Sequence, residues 1–150
     1  MIFHHTGSKD AYITNKIIAG TRRATDGNVG YASTIDLFKL HNESQLAGAS
    51  GDIQEVSRGL LYFNLSELKT IIETKASSTH ASLKIKLVLT DVQGTQVAPS
   101  DFTLQLYALG AAWDEGIGTN ITAFNDLDAT NWLSSSLGTL WGTAGAFAGT

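Results

Sequence analysis

The sequence predicts an all-β protein: an antiparallel β-sandwich of Greek-key or jelly-roll wiring, with one short helix after its central strand. Three observations carry that prediction. Apolar residues recur at every second position in several separate runs, the period of a pleated strand and not of a helix. Long stretches rich in Gly, Asn, Ser and Thr join these runs, with no βαβ rhythm. Those connections exceed hairpin length, which suits crossing wiring better than a meander. With 150 residues the chain reads as a single domain, 1–150, able to bury about 68–70% of its unfolded surface.

The elements follow in order. Asp10–Thr14 is a first strand, with Tyr12 and Ile13 on opposite faces. From Ala19 to Gly30 the chain carries Gly20, Asp26, Gly27, Asn28 and Gly30, residues that tolerate left-handed backbone angles, and reads as an exposed loop. Thr34–Leu40 alternates as a second strand, and His41–Glu55 is a polar, glycine-bearing loop. The most legible stretch comes next, Arg58-Gly59-Leu60-Leu61-Tyr62-Phe63-Asn64-Leu65. Leu61, Phe63 and Leu65 share one face and Leu60 and Tyr62 the other, so a central strand over Gly59–Leu65, covered on both sides, is expected. Asn64 and Ser66 offer capping oxygens, and Leu68, Ile71 and Ile72 follow at helical spacing, predicting a helix from about Ser66 to Thr74.

Ser82–Thr90 has the cleanest alternation, with Leu83, Ile85, Leu87 and Leu89 opposed to Ser82, Lys84, Lys86, Val88 and Thr90. It predicts a strand wet on one face. Another is expected where Phe102, Leu104, Leu106 and Ala108 alternate with Thr103, Gln105, Tyr107 and Leu109. Beyond Leu109 the pattern weakens. Trp113-Asp114-Glu115-Gly116-Ile117-Gly118 reads as a loop, and Asn131-Trp132-Leu133 as one helical turn capped by Asp128 or Thr130. Five clear strands are too few for an eight-stranded roll. The chain is a piece of a longer one, or late strands hide in Leu137–Trp141 and Gly145–Ala148, or another subunit closes an open edge. Residues 134–150 are therefore read as irregular, completed by a partner or by further chain.

Composition narrows the function. The absence of cysteine excludes disulfides and Cys-based zinc sites. A net charge of −4 argues against a nucleic-acid surface. Charged residues are 16% of the chain, below the usual 25% or so, and none lies between Leu133 and Thr150. No run approaches the roughly 18 apolar residues of a membrane span, and Met1–Thr6 lacks a secretion signal's basic-then-apolar layout.

The candidate chemistry is thin. Asp114 and Glu115 are adjacent on one loop, where the roughly 5–9.5 Å carboxyl separation of a glycosidase pair is hard to reach; a solvated or capping loop is the preferred reading. Asp126 and Asp128, near Asn125 and Asn131, offer oxygens of the kind calcium takes but lack the acids and terminal Glu of an EF-hand, so turn and N-cap duty is preferred. His4, His5, His41 and His80 fall in expected loops or termini without metal spacing. Ser134-Ser135-Ser136 has no nucleophile elbow, and Gly142–Gly149 lacks the lysine of a phosphate loop. No cofactor and no catalytic residue is expected. Of the three tryptophans and four tyrosines, Tyr31 and Tyr107 are the best glycan-stacking candidates, but core or subunit contact is the stronger expectation for these aromatics.

The order of several pieces resembles a known family. A strand such as Lys9-Asp10-Ala11-Tyr12-Ile13, the strand Arg58–Leu65, a strand opening Ala81-Ser82-Leu83-Lys84-Ile85, and the strand Phe102–Leu109 ending in Trp113-Asp114-Glu115-Gly116 together resemble the DNRLRE-type β-sandwich domain. That is a jelly roll similar to certain carbohydrate-binding modules, found in bacterial surface proteins and tailed-phage virions. The resemblance spans about residues 9–133. It implies that Arg58 and Trp113 are structural, and it implies no catalytic residues. Further strands that would complete the roll are not evident after Trp141. The expectation is a non-enzymatic virion protein of a tailed phage, in the capsid, neck or tail. Its partners would be copies of itself and other virion proteins, with Arg58, Trp113, Trp132 and Trp141 in packing or interface roles, and neither nucleic acid nor membrane bound. A carbohydrate-binding or receptor-binding surface domain is the alternative. A hydrolase would need a third acid facing Asp114 or Glu115 across a cleft.

Overall fold

The computed structural model describes residues 6–75, 86–90, 92, 101–122 and 126–146. Within them the chain forms small antiparallel sheets and one short helix. The elements are β1 (Lys9–Thr14), β2 (Ile17–Ile18), β3 (Arg22–Arg23), β4 (Lys39–His41), β5 (Gln54–Tyr62), α1 (Ser66–Lys75), β6 (Ser134–Ser136) and β7 (Thr139–Leu140). β5 lies between β1 and β4 in a three-stranded sheet, while β2–β3 and β6–β7 are separate two-stranded ribbons.

The register of β1 on β5 sorts the core. Ala11 lies opposite Leu60 and Ile13 opposite Arg58, whereas Tyr12 lies opposite Gly59 and Thr14 opposite Ser57. Strand alternation sends these two sets to opposite faces. On the first face Ala11, Ile13 and Leu60 pack with Trp113 and Trp141, flanked by Trp132 and Ala146. On the second, Tyr12 packs with Ala24, Val29 and Ile121, flanked by Ile18, Ala32 and Ile35. β1 is thus buried on both sides, by the C-terminal segment on one and by residues 18–35 on the other.

Several expectations change. The central strand begins at Gln54, five residues earlier than the expected start at Gly59, and ends at Tyr62, leaving Tyr62 and Leu65 exposed. Its first half was hidden in sequence because its inward residues are polar. Glu55 is buried with Oε2 accepting the Ile17 amide at 2.7 Å, and the Ser57 hydroxyl donates to the Asp36 carbonyl at 2.5 Å while accepting from the Phe38 amide at 2.8 Å. The same Ser57 bonds occupy the groups that a ladder along Thr34–Phe38 would use, so of that expected strand, Thr34–Leu40, only Lys39 and Leu40 pair with β5. His41, expected in a loop, ends β4.

The stretch expected as an exposed loop, Ala19–Gly30, instead turns and packs. Ala19 and Gly20 both take positive φ, 51° and 66°, and the Thr21 amide donates to the Ile18 carbonyl at 3.1 Å. That is the I′-type hairpin turn, which joins β2 to β3. Ala24, Asn28, Val29 and Gly30 beyond it are buried. The helix forms as the sequence predicts: Asn64 Oδ1 accepts the Ser66 amide at 3.2 Å, and Glu67 sits in the first turn, where the helix dipole favours an anion.

The two cleanest alternating runs are not strands where they are described. Residues 86–90 and 102–109 pair with nothing among the described residues, and 82–85 lie outside them. A pleated pattern needs a neighbouring ladder to become a strand, and these runs have none there. The expected helical turn at Asn131–Leu133 is a tight entry to the β6–β7 ribbon, because Asn131 Oδ1 accepts the amides of Leu133 and Ser134 at 2.8 and 2.9 Å. Two short strands therefore occupy part of 134–150, the region expected to be irregular, with Gly138 at positive φ in their connection.

Candidate functional site

The residues singled out as structural gather on the first face of the sheet. Trp113 and Trp141 are buried in its core, Trp132 lies against them, and the Arg58 guanidinium sits 5.2 Å from the Trp132 ring centroid. Arg58 also donates to the Gly145 carbonyl, fastening the turn after β7 to the central strand. Burial lowers the Arg58 pKa from the ordinary arginine value, and the nearby Tyr107 acts in the opposite sense. The guanidinium stays charged because its intrinsic pKa is so high, which keeps the cation–π contact intact. Lys9 repeats the device on β1, with Nζ 5.7 Å from the Trp113 ring, 5.8 Å from the Tyr62 ring and 3.1 Å from the Trp113 carbonyl oxygen. Trp141 Nε1 donates to the Asn131 carbonyl at 2.7 Å, so its one polar atom is satisfied inside the core.

A second assembly, missed in the sequence, pins the 113–118 loop along the outer edge of β1. Asn28 is 0% exposed. Its Nδ2 donates to the carbonyls of Glu115 and Thr130 at 2.8 and 2.7 Å, and its Oδ1 accepts the amides of Gly118 and Gly30 at 2.8 and 3.2 Å. All four hydrogen-bonding positions of the carboxamide are used. The approach is close enough to demand glycine: a Cβ on Gly30 would overlap the Glu115 carbonyl oxygen, and one on Gly118 would overlap that of Asn28. Glu115 Oε1 accepts the Asp10 amide at 2.7 Å, which covers the edge of β1. The only hint in sequence was the glycine pair around Ile117, a sign of close backbone approach.

The acids form no reactive pair. Glu115 is committed to Asp10, while the backbone of the exposed Asp114 joins the Ser135 carbonyl and the Thr130 amide at 2.9 Å each. Asp126 Oδ2 accepts the Ile117 amide and Oδ1 the Asp128 amide, both at 3.2 Å, which is turn chemistry. Asn125 lies outside the described residues, and among those described no group of three or more His, Asp or Glu could hold a metal. His41 stands 3.9 Å from Asp52 in an exposed pair; His4, His5 and His80 lie outside the described residues. Ser134 and Ser135 are buried in β6. Glu55 Oε1 is the one buried side-chain polar atom without a partner among the described residues.

No family model, curated protein or solved structure matches this chain.

The surface is unusually apolar in two places. Val88, Leu89, Val92, Phe102, Leu104, Leu106, Tyr107 and Leu109 are exposed along one part of the chain, with Leu106 at 72%. Leu133, Leu137 and Leu140 are exposed around the β6–β7 ribbon, with Leu140 at 74%. Both glycan candidates are open to solvent, Tyr31 at 75% and Tyr107 at 68%. The Tyr107 hydroxyl donates to Gln105 Oε1 at 2.7 Å.

Proposed function

We propose that this chain is a non-enzymatic structural protein of a tailed-phage virion, built on a jelly-roll β-sandwich of the DNRLRE type, and that it works by packing against copies of itself and its neighbours. The observation that carries the reading is the exposed apolar side chains at 102–109 and 133–140. Large apolar side chains left exposed at this density along the chain are the kind of surface that protein contact covers. The resemblance of Lys9–Ile13, Arg58–Leu65 and Trp113–Gly116 to the virion domains supplies the setting, and the Arg58–Trp132 and Lys9–Trp113 stacks supply a rigid layer for subunits to press on. Light scattering and electron microscopy of the purified full-length chain test it. Oligomers or ordered particles are expected; a monodisperse monomer at every concentration overturns it.

The exposure of Tyr31 and Tyr107 favours one alternative, a carbohydrate-binding or receptor-binding surface. A glycan array decides it: saturable binding that is lost in Tyr107→Ala supports this reading, and an array without hits removes it.

A further inference from the structure

We infer that residues 102–108 form an antiparallel strand pair with the same residues of a second copy of this chain, in a register centred on Gln105. The inference deepens the packing reading above and rests on it, and it names the contact.

Three observations carry it. First, every residue from 101 to 112 is exposed, and none makes a backbone hydrogen bond to the other described residues. A row of unpaired amides and carbonyls in an extended segment is a template for another strand. Second, the segment is already strand-like. The Tyr107 hydroxyl meets Gln105 Oε1 at 2.7 Å, so residues two apart lie on one side, as in a pleated strand and unlike a helix. Third, the run is complementary to itself. Pairing about Gln105 sets Phe102 opposite Ala108 and Leu104 opposite Leu106, twice over. All four apolar residues of each copy then share one face, while Thr103, Gln105 and Tyr107 share the other. A register slipped by one residue would mix the two sets. No charged residue occurs between Phe102 and Trp113, so two copies meet without repulsion. The resulting contact is isologous, the usual form of a two-fold dimer.

The absence of native cysteine makes the register directly readable. In the proposed pair the two copies of residue 105 face each other at about 4.5–5.5 Å between Cα atoms, within disulfide range. The two copies of residue 103 lie roughly 13 Å apart, four residues at about 3.4 Å each, beyond it. Full-length Gln105→Cys is therefore expected to form a disulfide-linked dimer at least about tenfold faster under mild oxidant than Thr103→Cys. In Leu104→Lys/Leu106→Lys, sedimentation is expected to shift from dimer to monomer. Its circular dichroism should lose no more than the paired strand's share, because both side chains are exposed in the single chain. Equal crosslinking rates at 105 and 103 overturn the register. A mass distribution untouched by the double lysine variant overturns the pairing. An oligomer that persists in either case leaves subunit packing standing and refutes only this contact, whereas a wild-type monomer refutes both.

Discussion

Residues 102–109 and 113–118 are neighbours in the chain with opposite fates. The first has the better strand pattern, four apolar residues at strict alternation, and is exposed throughout. The second has two acids, two glycines and a single large anchor, yet Trp113 and Gly118 are buried and the loop is held against β1. Apolar alternation gives a segment something to bury but no address. The 113–118 loop has an address because the Asn28 carboxamide and the Asp10 amide meet the Glu115 carbonyl, the Gly118 amide and the Glu115 carboxylate, and because glycines at 30, 116 and 118 let the segments touch. Directional, fully satisfied polar contacts specify position where hydrophobic burial alone does not.

The largest effect is expected at the keystone of the anchored loop. Asn28→Ala strips partners from two amides and two carbonyls in a dry site, at about 1–3 kcal/mol for each group left unsatisfied. A total loss of roughly 4 kcal/mol in urea-melt stability is expected, and a loss under about 1 kcal/mol would mean that the loop is held by its tryptophan alone. Next is Gly30→Ala, whose methyl group would overlap the Glu115 carbonyl. It should cost about 2–3 kcal/mol by the same melt, with the loss confined to variants at glycines that contact this loop, so that Gly142→Ala, with open space around its Cβ and no left-handed backbone, serves as the control.

Third is alkaline pH. Burial, then the neighbouring Asp36 carboxylate, pushes the Tyr12 phenol from 10.0 up to about 12. The fold therefore favours the protonated form. That stabilisation is complete below pH 10 and is lost as pH rises through about 12, to a limit of roughly 2–3 kcal/mol. Melts in this window should show the fall in wild type and little of it in Tyr12→Phe. The smallest effect is expected in the exposed run. Phe102→Ser should change the stability of the single chain by no more than about 0.5 kcal/mol in a dilute urea melt, since the residue is 67% exposed there. A large loss would show that 102–109 belongs to the core after all and would erase the contrast with 113–118.

Legibility in the sequence followed the same divide. Strand β1, the helix and the core of β5 were readable because their signals are local: alternation at Tyr12 and Ile13, a capping Asn64, helical spacing at Leu68, Ile71 and Ile72. The start of β5 was not, because Glu55 and Ser57 face inward on hydrogen bonds to residues 38 and 21 positions away. β2 and β3 are two residues each, too short to show a period. Asn28 looked like an ordinary turn residue because the groups that bury it lie 87–102 residues further along the chain. In the opposite direction, 102–109 looked like a strand from its own pattern while the described chain offers it no ladder.

All three tryptophans of the chain stand on a single side of the main sheet. Intrinsic indole emission will consequently watch that layer alone, while the phenolate absorbance that wild type gains over Tyr12→Phe on melting between pH 10 and 12 watches the opposite layer, 18–35. The protein thus contains two independent optical reporters without any label, and superimposable melting curves from them would mean that both layers come apart in a single cooperative step.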